Sequence, residues 1–351
     1  MALFRVALLA AAALAAVAQP AAAQVQDDLL LAKRPQKLLS AYGLFSDGAS
    51  QAPAVGVVPY DLQVPLFTDY AEKYRFVYVP EGQLATYDDT EVFDFPVGSV
   101  LVKTFAYPAD LRQPEEDVKL IETRLLIHQE TGWNAWAYVW NEDQTDATLK
   151  VAGKVLPLDF INLAGEPQSI NYVVPNKNQC KGCHSFDKAV TPIGPKARNL
   201  NKDYVFSSGT ENQLIHWSSI GLLQGVPAHD QIPSVPAMND AAADLNARAR
   251  AYLDINCAHC HRAEGPGSTS GLFLTYGEQS AVTWGYEKRP VAAGRGSGGF
   301  TYDIAPGNAN ESILLYRMIS TDPGIMMPEV GRTLAHEEGI KLIRDWINSL
   351  E

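Results

Sequence analysis

All four cysteines of this 351-residue chain fall in two five-residue motifs, Cys180-Lys181-Gly182-Cys183-His184 and Cys257-Ala258-His259-Cys260-His261. A C-x-x-C-H segment sets two thiols about one helical turn apart and an imidazole directly after them. In that arrangement one haem is held through two thioether bonds, with the His as proximal iron ligand. The two segments predict two covalently bound haem c groups. Cys180, Cys183, Cys257 and Cys260 are the attachment points, and His184 and His261 are the proximal ligands. Other readings of four cysteines fit less well. Two disulfides are the usual expectation in an exported chain, but they explain neither the spacing nor the His after each pair. A four-thiolate zinc site would separate its C-x-x-C pairs by roughly 15–20 residues, whereas here residues 184–256 intervene. A thioredoxin-like dithiol needs no following His and sits after a strand.

Haem attachment of this kind takes place outside the cytoplasm, and the N-terminus meets that requirement independently. Arg5 is the only charge before Asp27; an Ala/Leu-rich run from Val6 to Val17 follows, then Gln19, Pro20 and Ala21-Ala22-Ala23. This is the layout of a secretory signal peptide over residues 1–23, cleaved near Ala23-Gln24. The run is too short to span a bilayer, and no Cys near the cleavage point offers a lipid anchor. No later stretch reads as a membrane span, so the expected location is the periplasm. A net charge of −12 disfavours nucleic acid as a partner. Hydrophobic residues at 46% are enough to bury real cores.

A haem iron used for electron transfer carries a second axial ligand, commonly a Met thioether or another His. Residues 243–256 lead into the second motif with helical composition. A short amphipathic helix reads over Glu311–Ile319, a Pro323–Pro328 loop follows, and Leu334–Leu350 carries a helical apolar stripe. This order resembles the class I cytochrome c fold, in which a loop Met capping the iron commonly precedes Pro. The resemblance makes Met327 the distal candidate for the second haem and Met326 its nearest competitor. For the first haem, Met238 follows His184 at a separation comparable to that of Met327 from His261. His216, on a helix expected over Glu211–Leu223, is an alternative. His229 is a weaker one, and an open iron is another. His259 is expected to be exposed and is given no role.

The N-terminal half is different. Runs such as Tyr74–Val79, Ser99–Phe105, Lys119–His128 and Trp133–Trp140 are β-branched and aromatic, and turn signals separate them. Tyr74, Phe76 and Tyr78 fall on one face, Arg75, Val77 and Val79 on the other. The trio Trp133, Trp136 and Trp140 could form a carbohydrate platform, although strand packing is the commoner reason for such aromatics. Glu122 with Arg124, and Asp143 with Asp146, could be site residues, and surface charge or loop chemistry explains them equally well. The expected architecture is therefore α+β and multidomain. An antiparallel β-sandwich-like domain over residues 25–175 precedes a mostly α-helical, class I cytochrome c-like dihaem region. The first haem unit spans residues 176–242 and the second 243–351.

From about residue 40 to residue 351 the chain resembles a family of dihaem c-type cytochromes predicted in proteobacteria, conserved hypothetical proteins with an N-terminal β-domain and two C-terminal C-x-x-C-H haem units. The likeness rests on Val58-Pro59-Tyr60-Asp61, Phe95-Pro96-Val97-Gly98, Ile121-Glu122-Thr123-Arg124-Leu125, Asn212-Gln213-Leu214, Ala249 through His261, Met327-Pro328 and Gly331-Arg332. It implies haem binding and export and supplies no substrate. Electron transfer between a periplasmic donor and acceptor protein is the leading expectation. A peroxidase- or oxidase-like enzyme with an open first haem is the main alternative, and a redox-linked ligand-binding protein using the β-domain is a third.

Overall fold

The computed structural model describes residues 24–351. The expected signal peptide over residues 1–23 lies outside them. Among the described residues no helix is long and apolar enough to cross a membrane.

The period-two runs of the N-terminal half form one antiparallel meander. Its strands are β1 (Val57–Tyr60), β2 (Glu72–Tyr78), β3 (Val100–Tyr107), β4 (Lys119–Gln129), β5 (Gly132–Trp140) and β6 (Ala147–Leu149). Each strand pairs with the next along the chain. Alternation sorts the side chains as expected. Phe76, Tyr78, Val100, Val102, Leu125, Ile127, Tyr138 and Trp140 bury one face against Leu30, Leu39, Tyr42 and Leu44 of the irregular N-terminal segment. The opposite face has two covers. A separate hairpin, β7 (Lys154–Ile161) with β8 (Pro167–Val174), lays Phe160, Ile170 and Tyr172 over Phe105, Ile121 and Val139. Ala197, Leu200, Leu214 and Trp217 pack onto Val77, Val79 and Leu101. The sheet thus shares a core with residues that follow the first C-x-x-C-H motif.

After a single helical turn at Asp27–Leu30, the helices that follow the sheet are α1 (Lys177–Cys183), α2 (Ala197–Leu200), α3 (Gln213–Ser219), α4 (Leu245–Asn256), α5 (Ile313–Ile319) and α6 (Glu337–Ser349). Ala249, Tyr252 and Leu253 of α4 pack against Ile340, Ile343, Trp346 and Ile347 of α6.

Two features of the expected architecture are overturned. Among the described residues the meander is the one sheet of more than two strands, and a two-stranded hairpin and the chain after the first motif cover it in place of a second sandwich layer. Residues 176–351 are not a mostly helical, class I cytochrome c-like region. Among the described residues strand (27%) exceeds helix (22%), and the helices are few and scattered. Residues 257–312, between α4 and α5, contain no α-helix. The physical reason is composition. Gly265, Gly267, Gly271, Gly285, Gly294, Gly298 and Gly307, with Pro266, Pro290 and Pro306, interrupt every stretch there that could continue a helix. The apolar stripes in the sequence marked real helices, but the segments between them turn instead of spiralling.

The sheet also carries charge on its covered face. Arg75, Lys103 and Arg124 occupy one cross-strand row. Arg124 pairs with Glu122, which is fully buried and accepts a 2.6 Å bond from the Tyr172 hydroxyl. Burial opposes the charge on Arg124, but Glu122 more than offsets it and holds the guanidinium charged. Lys103 is pushed well below its ordinary pKa by burial and by Arg75, Lys73 and Arg124 around it. Glu122 and Arg124 are therefore a buried ion pair and not surface charge. The tryptophans do not form a platform: Trp140 belongs to one face's core, Trp133 stacks on His128 at 4.7 Å, and Lys177 sits 3.8 Å over Trp136.

Candidate functional site

Both C-x-x-C-H motifs make the same local turn. Asn176 caps α1 with a full capping box: its side chain accepts from Asn178 and Gln179, and the Gln179 side chain accepts from the Asn176 N–H at 2.9 Å. The helix delivers Cys180 and Cys183, and the His184 N–H closes onto the Cys180 carbonyl at 2.9 Å. In the second motif Asp244 caps α4. The His261 N–H closes onto the Cys257 carbonyl, again at 2.9 Å. One helical turn thus gathers two thiols and an imidazole on one side at each site. The Gly-rich stretch after the second motif wraps it closely: a Cβ at Gly265 would sit 2.4 Å from the Cys260 carbonyl oxygen.

Each proximal-candidate imidazole is oriented through Nδ1. That of His184 lies 2.9 Å from the Thr191 carbonyl, so it donates there. That of His261 lies 3.3 Å from the Ser270 hydroxyl, whose own proton goes to the Gly267 carbonyl at 2.7 Å. Both rings thereby carry the proton on Nδ1 and leave Nε2 as a bare lone pair, the pattern expected of metal-ligating histidines. Burial pushes His184 down to about 4 against the pull of the Thr191 bond, and it lowers His261 as well. Neutral imidazoles are the form that can ligate.

Two cavities adjoin the motifs. The larger, about 760 Å³, is bordered by Cys257, Cys260, His261, Met318 and Met327, with Phe67 from the N-terminal half. The smaller, about 320 Å³, is bordered by Cys183, His184, Phe186, Ile193 and His259, with Val92 from the N-terminal half. Both lie within the range of roughly 300–1,000 Å³ usual for ligand and cofactor sites. Cys183 and His259 border both cavities, so the two sites are neighbours.

The larger cavity has a built lid. The Met327 N–H donates to the Arg317 carbonyl at 3.0 Å, and Arg332 donates to the Met327 carbonyl at 3.1 and 2.9 Å. Asp69, buried in the loop before β2, accepts from the N–H groups of Thr333 and Leu334 and from the Thr333 hydroxyl at 2.7–3.0 Å. Burial raises the Asp69 pKa despite those bonds. His336 stacks on Phe67 at 4.2 Å.

The smaller cavity is framed by ion pairs. Arg262 bonds Glu91 at 2.7 Å and Glu264 at 2.8 Å and stands 4.6 Å over Phe186. Lys196 reaches Glu91 at 3.3 Å, and Arg198 holds Asp254 at 2.7 Å.

Not every candidate from the sequence reaches a cavity. Met327 does. Met326 is buried but does not border either cavity. Met238 packs with the hydrophobic cluster of α4 and α6, and Arg248 donates to its carbonyl at 2.9 and 2.8 Å. His216 bonds Glu211 at 2.9 Å and stacks on Phe206 at 3.7 Å, and His229 lies in an exposed turn. None of these three borders either cavity, and neither does Cys180. Conversely, no local pattern marks Phe67, Asp69 or Glu91, which reach the sites from the far half of the chain, and His259, expected to be exposed, faces inward.

The four thiols are free of disulfides. Among the described residues no three His, Cys, Asp or Glu side chains are grouped to hold a bare metal ion. No family model, curated protein or solved structure matches the chain.

Proposed function

We propose that this chain is an exported dihaem c-type cytochrome that passes electrons between periplasmic partner proteins. One observation carries the reading: each C-x-x-C-H turn sits at the wall of a cavity, with its His fixed through Nδ1 and its Nε2 free. The residues present fit a haem at the larger cavity, which Cys257, Cys260 and His261 all border; at the smaller one Cys183 and His184 border the cavity, and Cys180 is buried one turn before them. Each thiol would add across one vinyl group, sulfur to one carbon and hydrogen to the other, with no leaving group. Leu272, Leu274, Ile313 and Ile340 give the larger cavity the apolar wall such a group requires. The family resemblance points the same way.

Bound haem supplies a one-electron iron couple. The rest falls to the chain. His184 and His261 hold a lone pair toward the cavity, with Thr191 and Ser270 fixing ring orientation. Met327 offers a thioether from a segment pinned by Arg317, Arg332 and Asp69.

An optical redox titration of the exported protein tests this reading. Two reversible one-electron steps, with no turnover of peroxide, are expected. An iron that stays high-spin and consumes peroxide would make the protein an enzyme instead.

A further inference from the structure

The smaller cavity leaves the first iron's second axial ligand to be found, and its wall offers few donors. Glu91 is taken by Arg262 and Lys196, Asp254 by Arg198 and the Tyr276 N–H, and Lys196 by Glu91. His259 is different. It borders the same cavity as His184. Its buried Nδ1 lies toward the Ile255 carbonyl, and among the described residues no hydrogen bond engages its Nε2, so that lone pair is free to ligate, as at His184 and His261. We infer that His259, the third residue of the second C-x-x-C-H motif, supplies the axial ligand opposite His184 to the iron of the first haem.

This rests on the dihaem reading and adds a linkage to it. Cys260, which would carry a thioether to the second haem, is the next residue after His259. The ligand of one iron and the attachment of the other group are then one peptide bond apart. Cys183, bordering both cavities, makes the reciprocal approach from the first motif. The second motif would serve both haems, and a bis-imidazole first site would sit beside an imidazole–thioether second site.

The test uses the haem-loaded, full-length protein. In the wild type, near-infrared magnetic circular dichroism should show one bis-imidazole and one imidazole–thioether band. His259→Ala should keep two attached haems by mass and convert one iron to high spin by EPR, and added imidazole should restore low spin. His259→Met, which retains an axial donor if the alanine variant folds poorly, should replace the bis-imidazole band by a second thioether band. Two attached haems with an unchanged bis-imidazole signal in His259→Ala overturn the inference alone. Two thioether bands in the wild type do the same, as does a switch to high spin in Lys196→Ala. A wild-type chain without two attached haems overturns the dihaem reading along with it.

Discussion

The two motif sites start from the same turn and are closed by different parts of the chain. In the second, most of the wall beyond the motif comes from the C-terminal residues that follow it, with Phe67, Gln179, Gly182, Cys183, Tyr252 and Asn256 added from before it. Met327 arrives on a loop between α5 and α6, held by Arg317 and Arg332. In the first, the motif faces the loop at Glu91 and Val92, a ring of ion pairs and the second motif's His259. A site closed by the chain that follows it can be read along the sequence. A site closed by contacts across the fold cannot. The contrast also implies different chemistry: a thioether raises an iron's potential relative to imidazole, so the second haem should be the better electron acceptor.

The largest test of this contrast removes one attachment. Replacing both Cys257 and Cys260 with Ala should halve the covalent haem per chain, read by intact mass. The remaining first iron should also lose low-spin character if the two sites share the second motif; an unaltered first site would separate them. Met327→Ala comes next. The second iron's potential should fall and its thioether band vanish, while the first site's signals stay fixed. A change confined to the first site would reverse the assignment.

Stability changes should be smaller and should divide the same way. Glu122→Ala leaves Arg124 unpaired in the covered face of the sheet that backs the first motif. Breaking a buried pair costs about 3–5 kcal/mol, measurable as a lower urea midpoint. A shift near zero would show that Arg124 finds water instead. Asp69→Ala strands the Thr333 and Leu334 N–H groups. The expected loss is about 1–3 kcal/mol, with hydrogen exchange speeding up around Met327 and not around His184.

Much of this contrast was legible beforehand, and the rest was hidden for definable reasons. Alternation at Tyr74–Val79 assigned both faces of β2 correctly because one residue's shift would exchange core for charge. The helix at Leu245–Asn256 followed from helical composition, and that at Glu337–Ser349 from apolar spacing. The inference from those stripes to a helical, cytochrome c-like region failed, because Gly and Pro govern residues 257–312 and leave them in turns. Met238 was placed by its distance along the chain from His184. That measure presumes a compact first unit, yet Met238 packs onto α4 and α6. His259 lay in plain view inside the motif. Only the packing of one motif against the other shows which way it faces.

The smallest effect is a pH slope. Burial pushes His336 down to about 4. Its neighbours are Phe67, Tyr70, the Tyr252 hydroxyl, Glu338 and Lys73. An unfolded His titrates near 6.5, so between these values the folded chain binds fewer protons and stability rises with pH. That contribution is complete above about 6.5 and is lost as pH falls toward the folded value. His336→Gln should flatten urea midpoints over that window, and an unchanged slope would assign the effect to other groups.

The most direct test of the central claim is the mass of the chain recovered from the periplasm of a host that attaches haem c. Two haem adducts are predicted, one on the peptide holding Cys180 and Cys183 and one on the peptide holding Cys257 and Cys260. An unmodified chain with four free thiols, or one with two disulfides, would contradict it.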